Sequence, residues 1–343
     1  MNRAGNPRAI FLFFREADMK FFKRILKSIL RMLLLMAILL TALWFALAQP
    51  SAARNEPSSL RADPERMRED VEIISTRFYP RDWQSVENLS RTAAYIREEL
   101  EAAGAEVSFQ PHRARGRDYV NVIGRFHPER EPRVVVGAHY DAVANTPGAD
   151  DNASGVAGLL ELARIIQKTD AELAVDLVAF VLEEPPFFGG PKMGSVTHAE
   201  ALAQSGVDVR GVIVLEMLGY FSDEPGSQQY PSPLLRLFYP SRGNFIALVS
   251  RTDQGKWIRE VKAGMRGSTE LPVHSLRAPR WVPGVDFSDH RNYWPHGIPA
   301  LMVTNTAFYR NQAYHLPEDT ADRLDSERMA MVVVGVFEAL MSL

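Results

Sequence analysis

The chain contains no cysteine among its 343 residues. This absence excludes disulfide bonds, zinc sites built from thiolates and hydrolases with a cysteine nucleophile. Any zinc ion would therefore be held by histidine and carboxylate side chains. Extracytoplasmic bacterial proteins and cytosolic proteins can both lack cysteine, so this absence does not indicate a compartment.

The chain also lacks a strong excess of either charge. Its formal net charge is -3 and its isoelectric point is about 6.3. A nucleic-acid-binding protein normally has a basic face, so we expect no nucleic-acid partner. With 46% hydrophobic and 24% charged residues, the composition is that of a globular protein. The length suits one large domain or two small ones.

Two common hydrolase motifs are missing as well. The sequence has no His-Glu-x-x-His, which excludes the helix site of the gluzincin metallopeptidases. It has no Gly-x-Ser-x-Gly either, so hydrolases built around a serine elbow have no support. Candidate catalytic residues must therefore be sought from their positions along the fold.

The first 50 residues form a membrane-targeting region. Residues 1–31 are a basic segment with Arg3, Arg8, Arg15, Lys20, Lys23, Arg24, Lys27 and Arg31 against Glu16 and Asp18. In residues 32–50, the run Met32–Ala48 is apolar apart from Thr41. A membrane-spanning helix needs about 20 residues and a signal-peptide core about 7 to 15. Residues 32–50 are therefore either a transmembrane signal anchor or a signal peptide.

Both interpretations send the rest of the chain out of the cytoplasm, because basic residues keep the N-terminus inside. Ala46-Leu47-Ala48 resembles a cleavage site, whereas the long basic leader favours an uncleaved anchor. We expect a single-pass protein of the cell membrane with its folded domain in the periplasm; secretion after cleavage is the alternative. Met19 is an alternative start, since residues 19–48 alone suffice for export.

The remaining chain has an alternating α/β pattern. Residues 51–65 are predicted to be a linker, and residues 66–343 form the folded domain. Alternation of helices and strands predicts a largely parallel sheet with helices on both faces. The predicted helices are 64–76, 86–103, 152–168, 195–204 and 320–343. The predicted strands are 105–110, 118–126, 133–137, 173–182, 211–215, 245–250 and 300–304.

One segment, residues 220–244, has a different composition, with several prolines and aromatics. Loops of this length in compact domains are often lids or binding rims. Packing of the segment onto the body of the domain is an equally good interpretation.

The most informative stretch runs from Gly137 to Gly155. It follows the apolar run Val134–Val136 and precedes an amphipathic helix, so His139 should leave a buried strand and Asp151 should open the helix. Ligands of open α/β sheets bind at the carboxyl ends of strands. A histidine with several carboxylates at such a place indicates a metal site.

Further candidate ligands follow other predicted strands. Glu183 and Glu184 follow the strand that ends at residue 182, Glu216 follows the strand 211–215, and His315 lies in a loop. Two zinc ions that share a carboxylate need roughly five protein ligands from separate strand ends. Each residue alone is more often a surface or structural group, so the prediction rests on their common position.

The sequences Gly137-Ala-His-Tyr-Asp and Pro147-Gly-Ala-Asp-Asp-Asn-Ala-Ser-Gly155 resemble the first metal-binding segment of the M28 family of zinc aminopeptidases. The resemblance extends from about Arg66 to Leu343. It implies a three-layer α/β/α domain with a mostly parallel mixed central sheet, as in zinc exopeptidases. It also implies two zinc ions as cofactors and a peptide substrate.

Carried over from the family, the resemblance implies five ligands. Asp151 would be the carboxylate that bridges the two ions, since it directly precedes the Asn-Ala-Ser-Gly stretch. His139 and Glu216 would complete one zinc site, and Glu184 and His315 the other. The family often has aspartate at the position of Glu216, but the surrounding Leu-Glu-Met-Leu-Gly supports the match. Manganese or cobalt could occupy the same ligands.

The resemblance also implies catalytic roles. Glu183 matches the general base, which takes a proton from the attacking water and delivers it to the leaving amine. Asp141 is expected to accept the second N–H of the His139 imidazole and fix its tautomer. Tyr314 matches a tyrosine that binds the oxyanion in some members. The segment Ser288-Asp289-His290 also resembles a family segment, without an assigned ligand role.

The expected function is that of a metallo-exopeptidase, an aminopeptidase that removes N-terminal residues by attack of a metal-bridging water. Two alternatives share the fold. Glutaminyl-peptide cyclotransferases use one zinc to close N-terminal glutamine, and receptor-like relatives that have lost ligands serve as binding ectodomains. A complete set of five ligands favours the two-metal hydrolase.

Overall fold

The computed structural model describes residues 7–169 and 171–343; residues 1–6 of the predicted basic segment lie outside the described residues. The chain divides into two compact units, one up to Ala46 and the other from Leu47 to Leu343. Helix α1 spans Pro7–Ala48, and its last two residues belong to the second unit. Its part from Asp18 is long and apolar enough to cross a membrane, a property shared by anchors and signal sequences.

The second unit is built on one mixed eight-stranded sheet, in the order β1-β2-β4-β3-β5-β8-β6-β7. Four neighbouring pairs are parallel, namely β3 with β4, β3 with β5, β5 with β8, and β6 with β7. The strands are β1 (Glu106–Ala114), β2 (Arg117–Phe126), β3 (Arg133–His139), β4 (Val175–Phe180), β5 (Val209–Glu216), β6 (Ile246–Arg251), β7 (Val273–Ala278) and β8 (Ala300–Thr304).

Helices cover both faces of the sheet. They are α2 (Pro64–Glu72, continued by a π-helical turn Ile73–Arg77), α3 (Val86–Ala102), α4 (Gly155–Thr169), α5 (Gly194–Ser205), α6 (Gly255–Met265) and α7 (Ser326–Ser342). One apolar cluster joins α2, α3, α4, α6 and α7 to one face, and a second joins α5 and the loop before β8 to the other. The predicted three-layer α/β/α architecture is thereby confirmed.

The central strands were predictable because both of their faces are buried. All seven residues of β3 and all six of β4 are buried. Val134 and Val136 belong to one apolar cluster and Val135 to the other. Strands that are covered on both faces usually have a continuous run of apolar residues, and the sequence of β3 has such a run.

Several element ends differ from the predictions by a few residues, and three differences have a clear physical reason or were not predicted at all. The last helix begins at Ser326 rather than at residue 320, because the side chain of Asp325 caps it by accepting from the N–H of Arg328. Helix α6 and strand β7 were not predicted. Strand β7 is an edge strand that contains His274 and Arg277, so it lacks the apolar run that marks the central strands.

Close packing between β3 and β4 generates a stability prediction. A Cβ atom at Gly137 would lie 2.3 Å from Cε2 of Phe180, so Gly137→Ala should lower the free energy of unfolding by about 1–3 kcal/mol. Urea denaturation measures the change. Gly335→Ala in α7 is the matched control, because its nearest atoms lie 3.4 Å or farther from the new Cβ. Equal stability of the two variants would contradict the prediction.

Candidate metal centre

The predicted ligands lie together at one edge of the sheet. Strands β4, β3 and β5 are adjacent and parallel, so their carboxyl ends open on the same side. His139 ends β3, Glu216 ends β5, and Glu184 follows the end of β4. Asp151 lies in the turn before α4, and His315 lies in the loop after β8. Five segments that are distant in sequence thus converge.

Two groups of side chains share Asp151. The Nε2 atom of His139 lies 3.2 Å from Oδ1 of Asp151 and 3.4 Å from Oε2 of Glu216. The Nε2 atom of His315 lies 3.2 Å from Oδ2 of Asp151 and 3.3 Å from Oε2 of Glu184. Within each group the candidate ligand atoms all lie within 4.8 Å of one another. Each oxygen of Asp151 therefore faces a different histidine, which is the arrangement expected of a bridging ligand.

The donor atoms of these groups fit a metal ion. Nε2 of His139, Nε2 of His315 and Oε1 of Glu184 are buried and have no hydrogen-bond partner among the described residues. Buried polar atoms in proteins are otherwise almost always paired. Imidazole nitrogens combined with carboxylate oxygens form a donor set that suits zinc. The residues present are therefore suited to hold divalent cations.

Burial and mutual repulsion shift the ionisation of this cluster. Burial, together with the charge of Asp151, raises the pKa of Glu184 to about 8. Burial lowers the pKa of His315, but contacts with Asp151 and Glu184 outweigh it and raise the value to about 10. Burial opposes ionisation of Asp151, yet its contacts with the histidines lower its pKa. At neutral pH the cluster thus holds protons that a bound cation would displace.

The consecutive glutamates both reach the site because β4 ends before them. The strand stops at Phe180, two residues earlier than predicted, so side chains beyond it no longer alternate between faces. Oδ1 and Oδ2 of Asp141 accept the main-chain N–H groups of Glu183 and Glu184, each at 3.1 Å. Glu183 is buried, with a carboxylate oxygen close to the candidate ligand atoms of His139 and Glu184.

Asp141 contacts His139 differently from the expectation. The Nδ1 atom of His139 makes its hydrogen bond with the main-chain carbonyl of Asp141, at 3.2 Å, while the carboxylate lies 3.6 Å away. With Nε2 directed toward Asp151, Nδ1 is the nitrogen that carries the proton and donates it. The main chain of Asp141 therefore restrains the tautomer, because its carboxylate is already engaged by two amides.

Asp150 is an organising residue that the sequence analysis did not select. Its fully buried carboxylate accepts the N–H of Gly219 and the side-chain amides of Asn305 and Asn311, each at 2.8 Å. Gly219 lies in the loop after β5, and both asparagines lie in the loop after β8. Asp150 thus connects the loop that follows Glu216 and the loop that carries His315 to the turn that carries Asp151.

Asp319 and Arg81 fix the backbone that leads to Asp151. The carboxylate of Asp319 accepts the N–H groups of Asp150 and Asp151, each at 3.0 Å. The buried guanidinium of Arg81 donates only to main-chain carbonyls, among them that of Gly148 at 2.9 Å. Neither residue was assigned a role from the sequence. Only the folded chain brings them to the site.

The segment Ser288-Asp289-His290 borders the site. Oγ of Ser288 donates to Oε2 of Glu216 at 2.7 Å. Asp289 is buried and accepts a hydrogen bond from Ser195, and burial raises its pKa to about 7. Among the described residues, none of the groups that could hold a metal ion includes His290. The segment therefore orients a candidate ligand through Ser288.

An apolar pocket opens beside the two groups. Tyr314 stacks on His315 with ring centroids 3.7 Å apart, and both Tyr314 and Glu216 line the pocket. Its volume is about 810 Å³, counting the part open to solvent. Segment 220–244 contributes several residues to its lining. The apolar walls include Leu235, Tyr239, Phe245, Val249, Val285 and Met302.

Replacement of Asp150 by Asn should weaken zinc binding by about 10- to 100-fold. An amide cannot accept all three donors that the carboxylate accepts, so at least one ligand-bearing loop must shift. Competition of the zinc-loaded protein against a chromophoric chelator measures the affinity. Asp223→Asn is the matched control, because the side chain of Asp223 is 57% exposed. Unchanged affinity of Asp150→Asn would rule out the organising role.

Comparisons with known proteins add independent evidence. The model of peptidase family M28 matches residues 121–339, which include every predicted ligand. The uncharacterized protein YfbL of Escherichia coli K12 is 47% identical over 278 residues, covering 79% of this chain and 85% of that one. Aminopeptidase YwaD of Bacillus subtilis is 28% identical over 229 residues, covering 64% of this chain and 44% of the relative.

Solved structures show the same fold. The LapA aminopeptidase of Legionella pneumophila has a TM-score of 0.65 at 19% identity, over 82% of this chain and 72% of that one. A Zn-dependent exopeptidase of Parabacteroides distasonis has a TM-score of 0.62 at 19% identity, over 82% of this chain and 99% of that one. The glutaminyl cyclase of Tannerella forsythia has a TM-score of 0.61 at 22% identity, over 83% of this chain and 100% of that one. With the family model and YfbL matching most of its length, the chain belongs to peptidase family M28.

Proposed function

We propose that the protein is a zinc-dependent aminopeptidase that removes N-terminal residues from peptides. The observation that carries the proposal is the pair of side-chain groups that share Asp151, each with an unpartnered histidine nitrogen. His139, Asp151 and Glu216 would hold one zinc ion, and Asp151, Glu184 and His315 the other. Curated relatives that are named aminopeptidases support this class of reaction.

Glu183 is the proposed general base. When bound, the zinc ions would polarise the scissile carbonyl and lower the pKa of the attacking water. Glu183 would accept a proton from that water and return it to the leaving amine. Burial raises the pKa of Glu183 well above its ordinary value. A raised pKa makes a carboxylate a stronger base toward the proton of the attacking water.

Tyr314 is the proposed hydrogen-bond donor to the oxyanion that forms at the attacked carbonyl. Its ring stacks on His315 and lines the pocket, so it lies between the candidate metal ligands and the space for substrate. Burial raises the pKa of Tyr314, which keeps the hydroxyl protonated and able to donate at neutral pH.

The apolar pocket supports a preference for peptides that begin with a large apolar residue. Its walls are mainly aliphatic and aromatic, and it begins beside Glu216 and Tyr314. A substrate carbonyl between the two groups would have its first side chain within reach of this space. The positively charged amino group of such a substrate would be attracted to the surrounding carboxylates.

We also propose that the apolar run Met32–Ala48 anchors the protein in the cell membrane, with the M28 domain on the periplasmic side. The length and composition of the helix support this location. Basic residues before the run are expected to stay in the cytoplasm.

Mass spectrometry of a peptide mixture tests the activity. The full chain in detergent with zinc should shorten peptides one residue at a time from the N-terminus, and a chelator should stop the reaction. Glutaminyl cyclisation is the second candidate, because a glutaminyl cyclase superposes over its entire length. Loss of ammonia from a peptide beginning with glutamine, with no shortening, would establish that alternative. Unchanged peptides would exclude both reactions and leave a binding ectodomain.

Replacement of Glu183 by Gln should lower kcat by about 10²- to 10⁴-fold, because the amide cannot accept the proton of the attacking water. Zinc content, measured by elemental analysis, should stay the same, since Glu183 is not among the proposed ligands. Glu98→Gln is the control, because the side chain of Glu98 is 67% exposed. Retained activity in Glu183→Gln would show that another group is the base.

Replacement of Ala247 by Phe should change substrate preference. Ala247 lines the pocket, so the added ring would occupy the space proposed for the first side chain of the substrate. We expect kcat/KM to fall about tenfold or more for peptides beginning with Phe or Leu, and much less for those beginning with Ala. A uniform fall for all peptides would instead indicate general disruption of the site.

A further inference from the structure

The residues that follow the apolar helix are built into the folded domain. Ala48, Gln49 and Ala52 are 5%, 1% and 4% exposed. The main-chain N–H of Asn55 donates to the carbonyl of Arg266 at 2.6 Å. The first part of the segment predicted as a linker therefore packs against the end of α6.

A buried lysine holds the end of the helix. Lys262, on α6, is 4% exposed. Its Nζ atom donates to the carbonyl of Ala48 at 2.7 Å, to the carbonyl of Gln49 at 3.2 Å and to Oγ of Ser275 at 3.1 Å. An ammonium group has three donors, so this set uses all of them. Oγ of Ser275 donates to the same carbonyl of Ala48, at 2.9 Å.

A second cation holds the next residues. Nη1 of Arg266 donates to the carbonyl of Pro50 at 2.9 Å and to that of Ala52 at 2.7 Å. Lys262 and Arg266 together bind four main-chain carbonyls between residues 48 and 52. We call this set of contacts the α6 clamp.

Cleavage by signal peptidase requires small residues at the first and third positions before the cut. Two positions near the end of the helix meet this requirement. One follows Ala48, with Ala46 as the third residue before the cut, and the other follows Ala53, with Ser51 in that place. The two cuts would have different consequences for the α6 clamp.

A cut after Ala48 would remove the carbonyl that Lys262 and Ser275 share. It would also turn the main-chain N–H of Gln49 into a charged amino group, in the same residue as a carbonyl that Lys262 binds. The new amino group of Gln49 and the ammonium group of Lys262 would then be neighbouring buried cations, and Lys262 would have lost the carbonyl of Ala48 as an acceptor. This arrangement is strongly unfavourable. A cut after Ala53 would remove all four carbonyls, leaving Lys262 with only Oγ of Ser275 and Arg266 without these two acceptors.

We propose that the mature protein keeps residues 48–54 covalently joined to the apolar helix, uncut at either position. The α6 clamp makes this segment an integral part of the domain, so the protein stays anchored in the membrane. This inference rests on the proposed membrane location and is independent of the proposed peptidase activity.

Determination of the N-terminus tests the proposal directly. The full chain, with a C-terminal tag, is expressed in a Gram-negative host, and the membranes are washed with alkaline carbonate. The washed membranes should retain the protein, with an N-terminus before residue 46 by intact mass and terminal sequencing. Soluble protein that begins at Gln49 or Arg54 would overturn the proposal.

Lys262→Met tests the physical basis of the clamp. The full chain in detergent should lose about 5 °C or more of unfolding temperature, because buried carbonyls lose a charged donor. Lys256→Met is the matched control on the same helix, since the side chain of Lys256 is 90% exposed. If Lys262→Met fails to fold, Ser275→Ala removes one donor to Ala48 and permits the same measurement. Unfolding temperatures equal to that of the control would overturn the role of the clamp.

Discussion

The position of the Asp151 carboxylate between two histidine nitrogens is the constraint on which the rest of the site depends. The backbone at Asp151 is not helical, although α4 begins only four residues later. It is held in this form by Asp319, which lies 168 residues farther along the chain and accepts its N–H. The site can therefore form only after the C-terminal third of the chain has packed against the centre.

The sheet supplies the rigidity that this arrangement needs. Strands β4, β3, β5 and β8 are neighbours with their apolar side chains buried on both faces, so their ends cannot move independently. Polar groups in the loops beyond these strands bond mainly to one another, as Asp150 does with Gly219 and Asn311. A packed apolar interior thus changes, within a few residues, into a closely bonded polar layer that faces the proposed substrate.

The sequence alone predicted those elements and candidate ligands that are marked by a pattern of neighbouring residues. Continuous valines marked β3, and His139 and Glu216 were located because each ends a buried strand. Asp319 and Arg81 could not be found in the same way, since their function depends on contacts with residues far away in sequence. The use of the Asp141 main chain in place of its carboxylate depends on hydrogen-bond geometry that no pattern of residues encodes.

Charge at the centre links metal occupancy to pH. Burial raises the pKa values of Asp289 and Asp319 to about 7 and that of Glu184 to about 8. The buried guanidinium of Arg81 interacts electrostatically with Asp141, Asp319 and Asp151, so its single positive charge offsets part of this negative charge. In the metal-free protein, bound protons balance the rest of the negative charge on these carboxylates, and the proposed cations would displace those protons. We expect metal binding to weaken as the pH falls through these raised values, because protons then compete more strongly for the carboxylates. The burial that raises the pKa of Glu183, the proposed base, would therefore also make metal binding depend on pH.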